Sequence, residues 1–233
     1  MPHVRRSLLP GPHVATVRGH TGRTTTPVLL ADGVALDGSA RIVQWLDTHH
    51  PEPRLIPADA AEREQALRIE RWFDEDLTPR GRRAVLAALL RTPAYFARVF
   101  GDGRGALARA GYALAVPLAA PLIRKGNGIA GRQSIDDGLR AFDEGLDFVA
   151  QACADTGYLV GGRFTIADLT AAAVLAVVVD PPDSPMTRPQ PMASPMRALV
   201  QRYAGHPGAA WVRSIYALHR GASADFDGES PYR

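Results

Sequence analysis

The feature that most constrains this chain is a run of apolar residues from Ile166 to Val179 that carries one charge, Asp168. A helix that is apolar on every side must be buried on every side, so we expect this run to be the central helix of a bundle. Thr165 and Asp168 have the spacing of a capping box, in which a hydroxyl and a carboxylate satisfy the N–H groups at a helix start. We therefore expect both residues to serve folding and not chemistry.

A second apolar run extends from Ala110 to Ile123 and contains Pro117 and Pro121. It is shorter than the about 20 residues that a membrane-spanning helix needs, so we expect a core helix or a kinked helix. Contact of this helix with a membrane surface is the alternative. The N-terminus has no apolar segment of signal-peptide length. The sequence therefore predicts a cytoplasmic protein with no membrane partner.

Composition excludes several other classes. Hydrophobic residues make up 46% and charged residues 22% of the 233, which is the range of ordinary globular proteins. The net charge is +3, and the basic residues are 26 arginines and one lysine, Lys125, spread along the chain. This charge is too weak to predict binding to nucleic acid. The seven histidines show no metal-ligand spacing, so we expect no metal site.

The single cysteine, Cys153, excludes an internal disulfide and fits a reducing compartment. It lies on the apolar stripe of a predicted helix, so we expect an inert core residue.

The first 50 residues differ in pattern from the rest. His13–Arg18 alternates β-branched and polar residues and predicts a short strand. Pro27–Leu30 and Gly33–Leu36 flank Asp32-Gly33, a strong signal for a hairpin. Apolar residues then recur at helical spacing over Ser39–His49, with Asp37 or Ser39 as the expected N-cap.

A stiff proline-rich linker, PEPRLIP, follows at residues 51–57, and all later segments predict helices. Capping boxes are expected at Asp59 to Glu62 and at Ser134 to Asp137, and a turn at Asp102-Gly103. We divide the chain into a domain at 1–50, a helical domain at 58–220 and a disordered polar tail at 221–233.

Two short segments suggest a binding site near the hairpin. Thr26-Pro27 precedes the first hairpin strand, and Pro27 is either an edge-strand proline or a cis-proline. The cis form would leave main-chain groups free to pair with a bound peptide. Gly38-Ser39 opens the following helix and is either a plain cap or an anion site for a carboxylate.

The order of these segments resembles the glutathione S-transferase family. The resemblance rests on Thr26 to Pro57, on Gly157 to Val174 and on Ala204 to Arg220, and it covers most of residues 20–220. It implies an α/β plus all-α fold, namely a truncated thioredoxin-like domain followed by an all-helical domain. It also implies a homodimer.

The resemblance further implies that glutathione is a co-substrate, with no other cofactor, and that a small hydrophobic electrophile is its partner. The main chain of Thr26, before Pro27, would bind the cysteinyl part of glutathione, and Ser39 would bind the γ-glutamyl carboxylate. The family usually has an acidic residue or Gln where this chain has Gly38. Asp37, one place earlier, is the candidate to bind the ammonium group instead.

The front of the first domain is expected to be incomplete. A strand, a helix and a strand need about 33 residues before Pro27, and 26 precede it. We expect Val4–Leu9 to be a stub of the first helix and the catalytic residue to fall upstream of Met1. Ser7 is a nearby hydroxyl, but it would lie inside that helix.

Three functions remain open on these grounds. The chain is a glutathione-conjugating or thiol-transferring enzyme, a non-catalytic binding or regulatory protein, or a carrier with residues 110–123 as a pocket wall.

Overall fold

The computed structural model describes residues 3–6, 8–101, 104–186 and 188–221. Three expectations lie outside these residues: Ser7 as a candidate hydroxyl, the turn at Asp102-Gly103, and the tail after Gly221. The described residues form a small α/β half followed by an all-helical half, in the order that the sequence predicts.

The α/β half is built on one hairpin. Its elements in chain order are α1 (His13–Thr21), β1 (Val28–Ala31), β2 (Val34–Asp37) and α2 (Ser39–His49). The strands are antiparallel, with Val28 opposite Asp37 and Ala31 opposite Val34. Asp32 and Gly33 both have positive φ, at 49° and 78°, as the predicted two-residue hairpin turn requires. The hairpin and α2 are therefore confirmed.

The predicted strand at His13–Arg18 is wrong, because this segment lies in α1. Pro12 occupies the N-cap, and Gly22 ends the helix in the left-handed conformation. Strand preference over six residues is a weak signal, and the helix signals at both ends override it. Residues 4–6 and 8–9 are not helical, so the described part of Val4–Leu9 does not form the expected helical stub.

The second half contains the remaining helices. They are α3 (Ala60–Arg71), a π-helical turn (Trp72–Leu77), α4 (Thr78–Leu89), α5 (Pro93–Phe100), α6 (Ala106–Gly126), α7 (Arg132–Ala152), α8 (Ile166–Val179), α9 (Ser194–Tyr203) and α10 (Pro207–His219). Helix α8 lies in the centre and contacts α3, α7, α9 and α10. The prediction of a central, fully surrounded helix is confirmed.

The N-terminus of α8 is capped in the interior. Thr165 and Asp168 are both fully buried, and the Thr165 N–H and hydroxyl each donate to Asp168 Oδ2 at 2.9 Å. Leu159 N–H donates to the other oxygen, Oδ1, at 2.9 Å. Burial raises the pKa of the Asp168 carboxyl, and these hydrogen bonds oppose that shift. The capping box thus also holds the glycine-rich loop that precedes α8.

Helices α4 and α7 mesh through glycines. A Cβ at Gly81 of α4 would lie 2.7 Å from the Phe142 ring, and one at Gly138 of α7 would lie 2.6 Å from the Arg80 carbonyl oxygen. Neither position accepts a side chain without movement of its neighbour. Arg80 also binds Asp137 at 3.2 Å and Glu144 at 2.8 Å, both on α7.

The expected capping box at Ser134 to Asp137 does not form. Helix α7 begins two residues earlier, at Arg132, and Ser134 Oγ donates to the Gly131 carbonyl oxygen. Asp137 faces Arg80 instead, so a tertiary ion pair takes the carboxylate that the local pattern assigned to the cap.

Helix α6 overturns the expectation for the apolar run at 110–123. All of its residues are described, and Val116 is the one that is buried. Four leucines are 74–88% exposed: Leu107, Leu114, Leu118 and Leu122. Among the described helices, α6 is the one that is long and apolar enough to cross a membrane by length and composition alone. Composition indicated an apolar helix correctly, but it did not show which of its faces would be covered.

We predict that Asp168→Ala lowers the free energy of unfolding by about 3 kcal/mol, because it leaves two buried N–H groups without an acceptor. Urea unfolding followed by circular dichroism measures this loss. Asp136→Ala, which removes a half-exposed carboxylate on α7, is the control and should change the free energy by less than about 0.5 kcal/mol. Equal effects of the two substitutions would contradict a structural role for Asp168.

Candidate functional site

The two segments singled out by the sequence meet at the open end of the hairpin. The Gly38 N–H donates to the Pro27 carbonyl oxygen at 2.9 Å, so the start of β1 and the start of α2 are fixed side by side. The Thr26–Pro27 peptide bond is cis. Thr26, Pro27 and Ser39 are exposed, and Gly38 is half-buried. The structure therefore brings all four predicted site residues to one accessible edge.

The N-terminus of α2 at this edge is open. Gly38 is the N-cap residue, with φ 84° and ψ 141°, and the helix begins at Ser39. No side chain of the described residues caps the helix, and its first turn holds no acidic residue. The first N–H groups and the positive end of the helix dipole therefore remain available to an anion. Ser39 does not act as the expected plain cap, because Gly38 is the N-cap and Ser39 is the first residue of the helix.

Asp37 is engaged differently from the sequence expectation. Its side chain is 7% exposed, and Arg41 Nη1 lies 2.6 Å from its Oδ1. Arg23 Nη1 lies 3.6 Å from Oδ2. Since this carboxylate already faces two guanidinium groups, a ligand ammonium would have to compete with them. The structure does not support Asp37 as the substitute for the missing acidic residue at position 38.

The same contacts leave the edge electropositive. Two arginines face one carboxylate, and the helix dipole adds partial positive charge at Ser39. Arg23 and Arg41 were not singled out from the sequence. Asp37 and Arg41 are four residues apart, and this spacing could have predicted their ion pair. Arg23 has no such spacing, because it lies in the segment before β1 and contacts Asp37 only in the folded chain.

Helix α2 is anchored to the helical half from its C-terminal end. Asp47 Oδ1 accepts from the N–H groups of Leu55 at 2.6 Å and Ile56 at 3.2 Å, in the linker. The Leu55 carbonyl oxygen accepts from Ile166 N–H, at the start of α8, at 3.0 Å. Val43 of α2 packs against the helical core. These contacts set where the open end of α2 lies relative to the second half.

Cys153 does not belong to this site. It ends α7 in the core, is 7% exposed, and its Sγ donates to the Val149 carbonyl oxygen. Burial raises the pKa of the Cys153 thiol, which disfavours the reactive thiolate. Within the described residues, no group of three His, Cys, Asp or Glu side chains is placed to hold a metal ion.

Comparisons with known proteins agree with this architecture. Residues 1–54 match the family described as "Glutathione S-transferase, N-terminal domain". Residues 132–195 match the family described as "Glutathione S-transferase, C-terminal domain". The first match ends within the linker, the second runs from α7 to the start of α9, and together they span about half of the chain. No curated protein matches the sequence.

Comparison with solved structures also gives matches. A glutathione S-transferase from Rhodospirillum rubrum F11 is 20% identical, with a TM-score of 0.52, over 90% of this chain and 72% of that one. One from Methylobacterium radiotolerans, in complex with glutathione sulfonate, is 24% identical, with a TM-score of 0.42, over 84% and 74%. The β-etherase LigF from Sphingobium sp. strain SYK-6 is 17% identical, with a TM-score of 0.48, over 87% and 83%. At this identity, the first of them shows a shared fold.

We predict that the Cys153 thiol of the folded chain reacts with Ellman's reagent at least about a hundredfold more slowly than in denaturing urea, because it is buried and its thiolate is disfavoured. Release of the coloured thiolate measures both rates. The Cys153→Ser chain should give no signal in either condition. A rapid reaction of the folded chain would show that this thiol is accessible.

Proposed function

Since the chain belongs to the glutathione S-transferase family, we propose that it binds glutathione at the edge formed by Thr26-Pro27 and Gly38-Ser39 and transfers its thiol to a small apolar electrophile. The observation that carries this proposal is the placement of the uncapped N-terminus of α2 directly beside the residues before β1.

A carboxylate of glutathione matches the charge of this edge. The free N–H groups of the first turn and the Ser39 hydroxyl would donate to it, and Arg23 and Arg41 supply positive charge nearby. The exposed main chain at Thr26 would pair with the cysteinyl part of the tripeptide. Gly38 leaves room at the edge but offers no side chain to the ammonium group.

The chemistry is thiol transfer. A free thiol has a pKa of about 8.5, so only a small part of it is thiolate at neutral pH. The thiol releases its proton to solvent, the sulfur forms a bond to the electrophilic carbon, and the leaving group departs with its electron pair. The electropositive edge holds the carboxylate of the peptide, and thereby positions the thiol for this step. We assign the role of stabilising the thiolate to no residue in the described part of the chain.

A homodimer in the cytoplasm completes the proposal. The family resemblance implies the dimer, and a single cysteine that is buried in the core suits a reducing compartment.

We predict that calorimetric titration with glutathione gives binding, and that Ser39→Ala and Arg41→Gln each raise the Kd about tenfold, because each removes a donor or a positive charge from the carboxylate site. Thr48→Ala is the matched control, since it removes an exposed hydroxyl near the other end of the same helix, and it should leave the Kd unchanged. Absence of heat and of thermal stabilisation at millimolar glutathione would overturn the proposal.

Thiol transfer is tested separately, with 1-chloro-2,4-dinitrobenzene as electrophile. We expect conjugation that is lost or weakened in parallel with binding in the Ser39→Ala chain, followed by the absorbance of the thioether product. Glutathione binding without conjugation would assign this chain a binding role and would contradict the transfer step.

A further inference from the structure

Helix α6 presents an apolar face that no described part of the chain covers. Its exposed residues between 106 and 122 are all Ala, Leu, Gly or Pro. Leu114, Leu118 and Leu122 follow each other at four-residue spacing and are 78%, 86% and 74% exposed. Residues at that spacing lie on one side of a helix, so these leucines form a stripe, which Leu107 extends toward the N-terminus. We refer to these four leucines as the leucine stripe.

The opposite side of α6 is fixed to the protein. Val116 is 1% exposed, and the Tyr112 ring lies 6.1 Å from the Phe96 ring of α5. The Tyr112 hydroxyl donates to the Pro10 carbonyl oxygen at 3.1 Å. A helix held along its length in this way cannot cross a bilayer, although its length and composition would permit it. It can only lie along a surface, with the leucine stripe pointing away from the protein.

The charge around the leucine stripe is of one sign. Residues 104–135 contain no Asp or Glu, whereas the basic residues are Arg104, Arg109, Arg124, Lys125 and Arg132. Arg104 precedes the helix, and Arg124 and Lys125 close it, so basic residues stand at both ends of the stripe. Helices that lie in a membrane interface combine this kind of apolar face with basic residues that meet anionic headgroups.

A surface pocket lies at the C-terminal end of α6. It is open to solvent, has a volume of about 350 Å³ and lies between α4, α6, α7 and α9, with an apolar wall that includes Ala87 and Leu139. Arg91, Arg124 and Arg202 line it as well. Arg202 binds Asp143 at 3.1 Å, whereas Arg91 and Arg124 have no acidic partner among the described residues. An apolar pocket with two uncompensated guanidinium groups matches the chemistry of an anionic amphiphile.

A second copy of the chain fits this face less well. Because both ends of the stripe are basic, pairing α6 with α6 of another copy brings cations together in the parallel and in the antiparallel orientation. An anionic surface meets the same charges with attraction.

We propose that the leucine stripe of α6 docks on the surface of a membrane that contains anionic phospholipid, with Arg124 and Lys125 at the headgroups. Membrane contact is the alternative that the sequence of this run allows, and the exposed stripe favours it. This inference does not depend on glutathione binding.

The test is cosedimentation of the full chain with sucrose-loaded vesicles of phosphatidylcholine mixed with phosphatidylglycerol. We expect the chain to sediment with these vesicles, to bind vesicles of phosphatidylcholine alone at least about tenfold more weakly, and to be released by salt. Retention in the supernatant with the mixed vesicles, or equal binding to both kinds of vesicle, would overturn the proposal.

Variants distinguish binding through the leucine stripe from nonspecific adsorption to vesicles. A chain with Leu114→Gln, Leu118→Gln and Leu122→Gln should lose binding at least about tenfold and keep its melting temperature, since these side chains are exposed and Gln is a good helix former. Leu218→Gln, at a leucine on α10 that is 70% exposed, should bind like the original chain. Arg124→Gln with Lys125→Gln should weaken binding to the anionic vesicles several-fold and flatten its salt dependence.

Sedimentation velocity without lipid tests whether a second copy of the chain covers the leucine stripe instead. If the original chain is an oligomer that the triple Gln variant dissociates, and neither chain binds vesicles, the stripe is an interface between copies and the proposal fails. An unchanged oligomeric state together with lost vesicle binding supports it.

Discussion

The buried cap at the start of α8 is the contact on which the rest of this structure depends. A helix surrounded on all sides must satisfy its first N–H groups without water, and Asp168 together with Thr165 does so inside the core. The same carboxylate fixes the loop at Leu159, and the next residue, Ile166, binds the linker at Leu55. From the linker, Asp47 carries the connection into α2. The buried cap that satisfies the start of α8 thereby also sets the position of the candidate binding edge.

Local signals predicted the elements whose conformation is decided locally. The hairpin follows from Asp32-Gly33, and α2 from the apolar spacing after Leu36, so both are found where the sequence places them. The N-cap of α2 is Gly38, however, and not the expected Asp37 or Ser39. The segment at His13–Arg18 failed because short alternation does not distinguish a strand from a helix that anchors one residue, Val17. The predicted capping box at Ser134 is wrong because Asp137 forms an ion pair with Arg80, which is far away in the sequence. Such tertiary competition has no local signature.

The candidate site was predictable in its position and less so in its electrostatics. Thr26 and Ser39 could be placed at one edge because the hairpin returns the chain on itself. The ion pairs of Asp37 could not be predicted, since one of them depends on Arg23, which lies outside the helices and strands. The coverage of α6 was likewise undetermined, because an apolar composition is compatible with a buried helix and with one whose outer face is bare.

The bare face of α6 ends at Lys125, the one lysine among 27 basic residues. Acylation neutralises an amine, whereas a guanidinium group stays charged and is not a substrate for that modification. Lys125 is therefore the one side chain whose charge an acyl donor can neutralise, and it is exposed at the end of the leucine stripe. The arginine side chains keep their charge under the same chemistry.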